Sequence, residues 1–242
     1  MEGIREDGRS ATQLRPLSCS RCILHRAHGS ASWSQGYTKV IAAVYGPKSG
    51  VKKNENPEKA CFEVILKPHT GQIGNVEKEN ELIVKRTIQS ICVRNLNPNT
   101  TTSIIVQVVQ DDGAVSFKVL LVCAINAVSL ALVDAGIPLK CLAVAVCCCV
   151  TENGNIMVDP TKIEEQKTKG FTHLVYPNSP KSVIQNESLD ETKDHAIITS
   201  SSRGVMSVDE YFDCVEMGSA ASVKLSEFLR KNLQSQIPGD SL

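Results

Sequence analysis

Three groups of residues in this sequence have the types and spacing to do chemistry. Cys19, Cys22, His25 and His28 fall three apart in CSRCILHRAH (19–28) and look like four ligands for one zinc ion. Asp159, Glu164 and Glu165 bring three carboxylates close together in VDPTKIEEQ and could hold a divalent ion such as Mg2+. The turn Asp111-Asp112-Gly113-Ala114-Val115-Ser116-Phe117-Lys118 joins a β-rich run, TTSIIVQVVQ, to an apolar one. Where a strand feeds a helix in this way, the helix N-terminus offers unpaired N–H groups and a favourable dipole to an anion.

The zinc reading fails on geometry if 19–28 continues into the following hairpin as a strand. Nine steps at about 3.3 Å separate Cys19 from His28 by roughly 30 Å, whereas four ligands of one ion lie within a few ångström. Parity also divides them, Cys19 and His25 to one side and Cys22 and His28 to the other. The expectation is an edge strand whose thiols and imidazoles pack or are solvated. The chain has 10 cysteines, and most, including Cys61, Cys123, Cys141 and Cys147 to Cys149, sit inside apolar runs. That pattern fits buried free thiols in a reducing compartment.

The elements that must position these groups follow from hydrophobic period and turn residues. GSASWSQGYTKVIAAVYGP (29–47) reads as a hairpin around Gln35-Gly36, and ACFEVILKP (60–68) as a third strand of an antiparallel start. EKENELIVKRTIQSICVR (77–94) is amphipathic, with Leu82, Ile83, Ile88, Ile91 and Cys92 near one face. A strand over 101–110 leads to a helix over 116–136 that is apolar nearly all round and stops at Gly136 before Pro138. CLAVAVCCCVT, ENGN and IMVDP make a second hairpin, followed by strands at 171–176, 181–187 and 194–202. A capping box, Ser207-Val208-Asp209-Glu210, opens a last helix running to about Leu233. The fold class is α+β, a single domain over 19–235, with residues 1–18 as a flexible arm and 236–242 as a tail.

Composition narrows the function. With 26 Lys plus Arg against 26 Asp plus Glu in 242 residues, there is no global basic field, so nucleic-acid contact must be local. The apolar runs 119–133 and 141–150 fall short of the roughly 20 residues that span a bilayer, so no membrane is expected. The opening MEGIREDGRSATQLRPLS has neither the apolar core of a signal peptide nor the pattern of a transit peptide, which suits an intracellular protein.

GSASWSQGYTKVIAAVYGP, QVVQDDGAVSFKVLLVCAINAVSLALVDAGIP and NIMVDPTKIEEQ together resemble the RNase PH family, in the family's order and spacing. The chain looks most like the ring subunits of the eukaryotic RNA exosome. The resemblance implies an RNase PH fold, other RNase PH-like exosome subunits and single-stranded RNA as partners, and a place in the nucleus, nucleolus and cytoplasm. Active members degrade RNA from its 3′ end with inorganic phosphate as co-substrate.

The resemblance puts phosphate at Gly113, Ala114, Ser116 and Lys118. Active relatives carry a serine or threonine followed by an arginine where Val115 and Ser116 stand, and that arginine is absent. It makes Asp159, Glu164 and Glu165 the catalytic carboxylates, Glu165 above all, while a later acid of the family is replaced within QKTKGFTH (166–173). Paired RNA-binding arginines of active relatives fall near Glu79, Asn80 and Glu81, a reversal of charge. Lys67, His69, Gln72, Lys78, Lys85 and Arg86 remain to meet a phosphate backbone.

Each group has a plainer reading beside it: Ser116 as an N-cap, the three acids as a solvated loop, Lys85 and Arg86 as the wet side of a helix. Three readings follow: a scaffolding subunit that contacts RNA, a residual nuclease that is phosphorolytic or metal-dependent, and a homodimer outside the ring.

Overall fold

The computed structural model describes residues 5, 7–49, 56–71, 73–110, 117–178 and 197–235, with Phe117, Lys118 and Ser235 described by backbone alone. A five-stranded sheet is built from β1 (Leu17–Arg21), β2 (Gly29–Gln35), β3 (Thr38–Ser49), β4 (Cys61–Lys67) and β5 (Thr100–Gln110), in the order β1-β2-β3-β5-β4. A four-stranded sheet orders β7-β6-β8-β9, from β6 (Ala143–Thr151), β7 (Ile156–Val158), β8 (Thr168–Pro177) and β9 (Thr199–Gly204). The helices are α1 (Asn75–Ile91), α2 (Phe117–Asp134), the short α3 (Lys162–Gln166) and α4 (Val208–Ser235). The α+β class expected from the sequence is what the chain adopts.

The hairpin over 29–47 forms as expected, with Gln35 opposite Thr38 across a Gly36-Tyr37 turn. β4 departs from expectation. It does not extend an antiparallel start but pairs in parallel with β5, at the far edge of the sheet. The α1 crossover between β4 and β5 makes this possible, since parallel neighbours need a connection long enough to return to the same end. On α1 the buried face is Val84, Thr87, Ile88 and Ile91, while Leu82, expected inside, is 47% exposed.

α2 lies between the sheets, packed on β2 and β3 of one and on β6 of the other. That is why it is apolar all round: Leu121, Cys123, Ala124, Ala127, Val128, Leu130, Ala131 and Leu132 are all buried. Its two buried polar residues have specific work. Asn126 donates to the Ala145 carbonyl (3.2 Å) and accepts from the Ala145 N–H (2.8 Å), and Ser129 Oγ accepts from the Ala143 N–H (3.1 Å). These groups lie on the side of β6 that the three-residue β7 is too short to cover, so helix side chains stand in for a missing strand. Gly29 lets β2 start against the end of α2, where a Cβ would meet Ala135 N at 2.3 Å and Ala131 O at 2.5 Å.

The last helix is capped as the sequence predicts: Ser207 N–H donates to Glu210 (2.9 Å), and Glu210 N–H to Ser207 Oγ (3.2 Å). α4 covers the second sheet and reaches the first, where Phe228 meets the buried Trp33 edge to face, centroids 5.9 Å apart. The strand expected over 181–187, the start of the one over 194–202, and the tail 236–242 lie outside the described residues.

The expectation of a flexible arm over 1–18 needs correction for the residues described. Arg5, Arg9 and Arg15 are 5%, 8% and 7% exposed, and Leu17 and Ser18 already belong to β1. Among the described residues, Arg5 and Arg15 of this segment form buried ion pairs with Glu164 and Asp159. The 19–28 stretch is extended only to Arg21. Cys22 turns the chain with a φ of 55°, and its N–H and that of Ser30 donate to the Asp134 carboxylate. All ten cysteines are free thiols, Cys22 being exposed and Cys61 and Cys141 half-buried.

Candidate functional site

Asp159 lies in the loop after β7, and Glu164 and Glu165 lie on α3. Thr161, Lys162, Ile163 and Glu164 form a Thr-x-x-Glu capping box in which the Thr161 N–H donates to Glu164 Oε2 at 2.7 Å, opening α3. Asp159 precedes it in the left-handed region at a φ of 54°, a conformation uncommon outside glycine. It is held there by its own N–H donating to Cys147 O (2.9 Å) and by what its side chain grips. Asp159 is 1% exposed, Glu164 7% and Glu165 8%.

What grips them is the N-terminal segment. Arg15 donates from its backbone N–H to Asp159 Oδ2 (2.8 Å) and from Nε (3.0 Å) and Nη2 (2.7 Å) to Oδ1. Arg5 meets Glu164 in a fork, Nε to Oε1 and Nη2 to Oε2, both 2.7 Å, and also donates to the carbonyls of Val158 (2.9 Å) and Asp159 (3.1 Å). Arg9 spans Asp7 and the Asp159 carbonyl. Bidentate guanidinium–carboxylate pairs are among the strongest charged hydrogen bonds. Burial would push the Glu164 carboxyl up, but the hydrogen bonds and charge of Arg5, with the Thr161 N–H, hold it below its ordinary value.

The consequence for chemistry is direct. A general acid must give up a proton near working pH, and Glu164 is held ionised instead. A divalent cation needs carboxylate oxygens turned toward it, and those of Asp159 and Glu164 accept from guanidinium and backbone N–H groups. Among the described residues no three His, Cys, Asp or Glu side chains converge to hold a metal ion. As they stand, Asp159 and Glu164 turn their oxygens to arginines rather than to a shared Mg2+ position. Asp159 and Glu164 fix the loop that leads into α3, the helix that carries Glu165.

Of the other expected site residues, Gly113, Ala114, Ser116 and Gln72 lie outside the described residues, and Lys118 stands in the first turn of α2. Lys67 ends β4, His69 follows it, and both are exposed. Lys78 and Arg86 are exposed on α1, and Lys85 is half-buried there. The three residues Glu79, Asn80 and Glu81 sit differently on α1. Glu81 Oε1 accepts from the Leu66 N–H at 2.8 Å, Asn80 is 4% exposed, and Glu79 is ion-paired with Arg203. Arg203 lies in β9, opposite Phe171.

The residues missed from sequence are Arg5, Arg9 and Arg15. Three arginines in an otherwise polar start, set against an acidic loop far along the chain, were the available signal. It lacked only the topology that brings the two ends together.

Comparison with known proteins agrees with this architecture. The profile of the 3′ exoribonuclease family, domain 1, matches residues 13–138. The chain is 65% identical over 237 residues to the exosome complex exonuclease RRP46 homolog of Arabidopsis thaliana, covering 97% of each. It is 57% identical over 242 residues to that of Oryza sativa subsp. japonica, covering 99% of this chain and 100% of the relative. The crystal structure of rice Rrp46 superposes with a TM-score of 0.83 at 56% identity, over 95% of this chain and 100% of that one. The fold, the family profile and the nearly full-length identity lead to one conclusion: the chain belongs to the RNase PH family.

Proposed function

We propose that this chain is an RNase PH-like core subunit of the RNA exosome, scaffolding a ring with other RNase PH-like subunits and contacting single-stranded RNA during 3′→5′ processing and decay. Its likeness over nearly the whole chain to proteins named for the exosome supports the assembly part of this reading. The observation that carries the rest is the locking of Asp159 and Glu164 by Arg15 and Arg5, which turns two of three expected catalytic acids into structural ones. Ser116 standing where active relatives carry an arginine, and the engagement of Glu81 by the Leu66 N–H and of Glu79 by Arg203, point the same way. Ribosomal precursors and messenger RNA, in nucleus, nucleolus and cytoplasm, are the substrates and places this reading assigns.

A second reading is a residual phosphorolytic 3′→5′ exoribonuclease, alone or as a homodimer. It is favoured by Glu165, the acid expected to be catalytic, which is only 8% exposed on α3. In that reading inorganic phosphate, held near Gly113, Ala114, Ser116 and Lys118, attacks the terminal phosphodiester.

One assay separates them: degradation of 3′-terminal single-stranded RNA by purified protein, with and without inorganic phosphate, repeated with Ser116→Ala and Glu165→Gln. The expected result is no phosphate-dependent release of nucleoside diphosphates, with ring assembly intact when the other subunits are added. Phosphate-dependent decay abolished by either substitution would establish the second reading.

A further inference from the structure

A cavity of about 1210 Å³ opens beside the carboxylate loop, on the outer side of α3. Its walls are the N-terminal segment, the β2–β3 turn and α3, and they include Gln13, Leu14, Tyr37, Lys162, Ile163 and Gln166. α3 thus faces two ways, with Glu164 and Glu165 buried inward and Lys162, Ile163 and Gln166 outward.

We infer that this cavity is a single-stranded RNA subsite, in which Tyr37 and Ile163 flank a base and Lys162 meets the adjoining phosphate.

Four observations carry the inference. Tyr37 is 73% exposed, yet it stands on a two-residue turn fixed from below. Gly36 N–H donates to Pro16 O at 2.9 Å, and Arg15 passes so close beneath that a Cβ on Gly36 would meet its Cδ at 2.9 Å. An exposed aromatic ring on a rigid support is a stacking platform, and such platforms accept any base because every base has a π-face. Ile163, 55% exposed, supplies an apolar face on the α3 wall.

Charge favours a polyanion over a neutral partner. Arg9 and Arg15 also line the cavity, but their guanidinium groups are engaged with Asp7 and Asp159. Lys162 is the cation with no ion-pair partner among the described residues. The amides of Gln13 and Gln166 each carry a donor and an acceptor, the equipment for pairing with base edges without choosing one base.

Size and place are consistent with a strand rather than a small molecule. The volume exceeds the roughly 300–1,000 Å³ usual for small-ligand sites. Lys39, two residues after Tyr37, pairs with Gln110, so the β2–β3 turn stands at the C-terminal end of β5.

This subsite rests on the RNA-contacting reading above but not on catalysis. The test is binding of 3′-labelled oligouridine by fluorescence anisotropy, with the full chain alone and in the reconstituted ring, together with ultraviolet cross-linking of 4-thiouridine RNA and peptide mapping. Tyr37→Ala should weaken binding roughly five- to a hundredfold, the range for loss of one base stack. Lys162→Glu should weaken it and lower the salt slope by about 0.7. Cross-links should map to the peptide containing Tyr37.

Failure of the chain to enter the ring would count against the scaffolding reading, while binding and cross-linking by the chain alone still decide the subsite. Unchanged affinity of both variants, absence of RNA binding by the wild-type chain in both settings, or cross-links confined to α1 would overturn it. So would a Tyr37→Ala protein that keeps RNA binding and loses a ring neighbour, since the cavity would then hold protein.

Discussion

Arg5 grips Glu164 through two parallel N–H···O bonds of 2.7 Å each, across 159 residues of sequence, with side chains only 1% and 9% exposed. Removing one partner of such a pair leaves the other buried and uncompensated, which costs about 3–5 kcal/mol. Arg5→Ala should lose stability in that range in urea unfolding, with the slope unchanged. The double variant Arg5→Met, Glu164→Met should recover much of the loss, because neither charge is then stranded. Equal instability of the single and double variants would mean that the contact matters only for its shape.

The same pair sets a pH dependence. Because Glu164 titrates lower in the folded chain than its ordinary value of 4.5, its contribution to stability is complete above that value and is lost as pH falls through the folded one. Urea midpoints should therefore drop as pH is lowered from 5 toward 3. Glu164→Gln should be less stable at pH 7 and show a shallower acid limb. An acid limb of identical slope in the variant would assign the loss to other carboxylates.

Asn126 offers a test of the central helix. Asn126→Leu keeps the volume but orphans the N–H and carbonyl of Ala145, and each buried unsatisfied group costs about 1–3 kcal/mol. A loss of about 2–5 kcal/mol is expected in thermal or urea unfolding. A loss well under 1 kcal/mol would mean that water or a shifted strand replaces the amide.

Thiol reactivity should follow burial. Burial pushes Cys92, Cys123 and Cys149 up to about 12, and Cys19 and Cys214 up to about 11, so at pH 8 they are protonated as well as covered. Alkylation of native protein at pH 8 should label Cys22 first, with all ten sites labelled only after denaturation. Rapid native labelling within Cys147 to Cys149 would show that the second sheet opens readily.

Much of this was legible in the sequence, and the pattern of failures is physical. Period and caps located α2, α4 and the hairpin because those signals are local: an 18-residue helix apolar nearly all round, a Ser-x-x-Glu box and a two-residue Gly turn. The partner of β4 was missed because strand order depends on where a crossover returns, which no local pattern encodes. Leu82 was misplaced by one helical position, enough to turn it outward. The site was half legible. Asp159, Glu164 and Glu165 were found by type and spacing, but their state was not, since it depends on Arg5 and Arg15, more than 140 residues away in sequence.

The position of α2 between two sheets bears on how the chain is made. During synthesis this helix is complete before β6 and β8, against which one of its sides will rest, have been translated. For that interval a face including Asn126 and Ser129 has no β-strand backbone to bind, and its apolar neighbours stay open to water. Chains released with their ends between residues 134 and 143 should therefore be the species that chaperones hold and that aggregates most readily. A fragment ending at the close of the family profile, residue 138, would be permanently in that state.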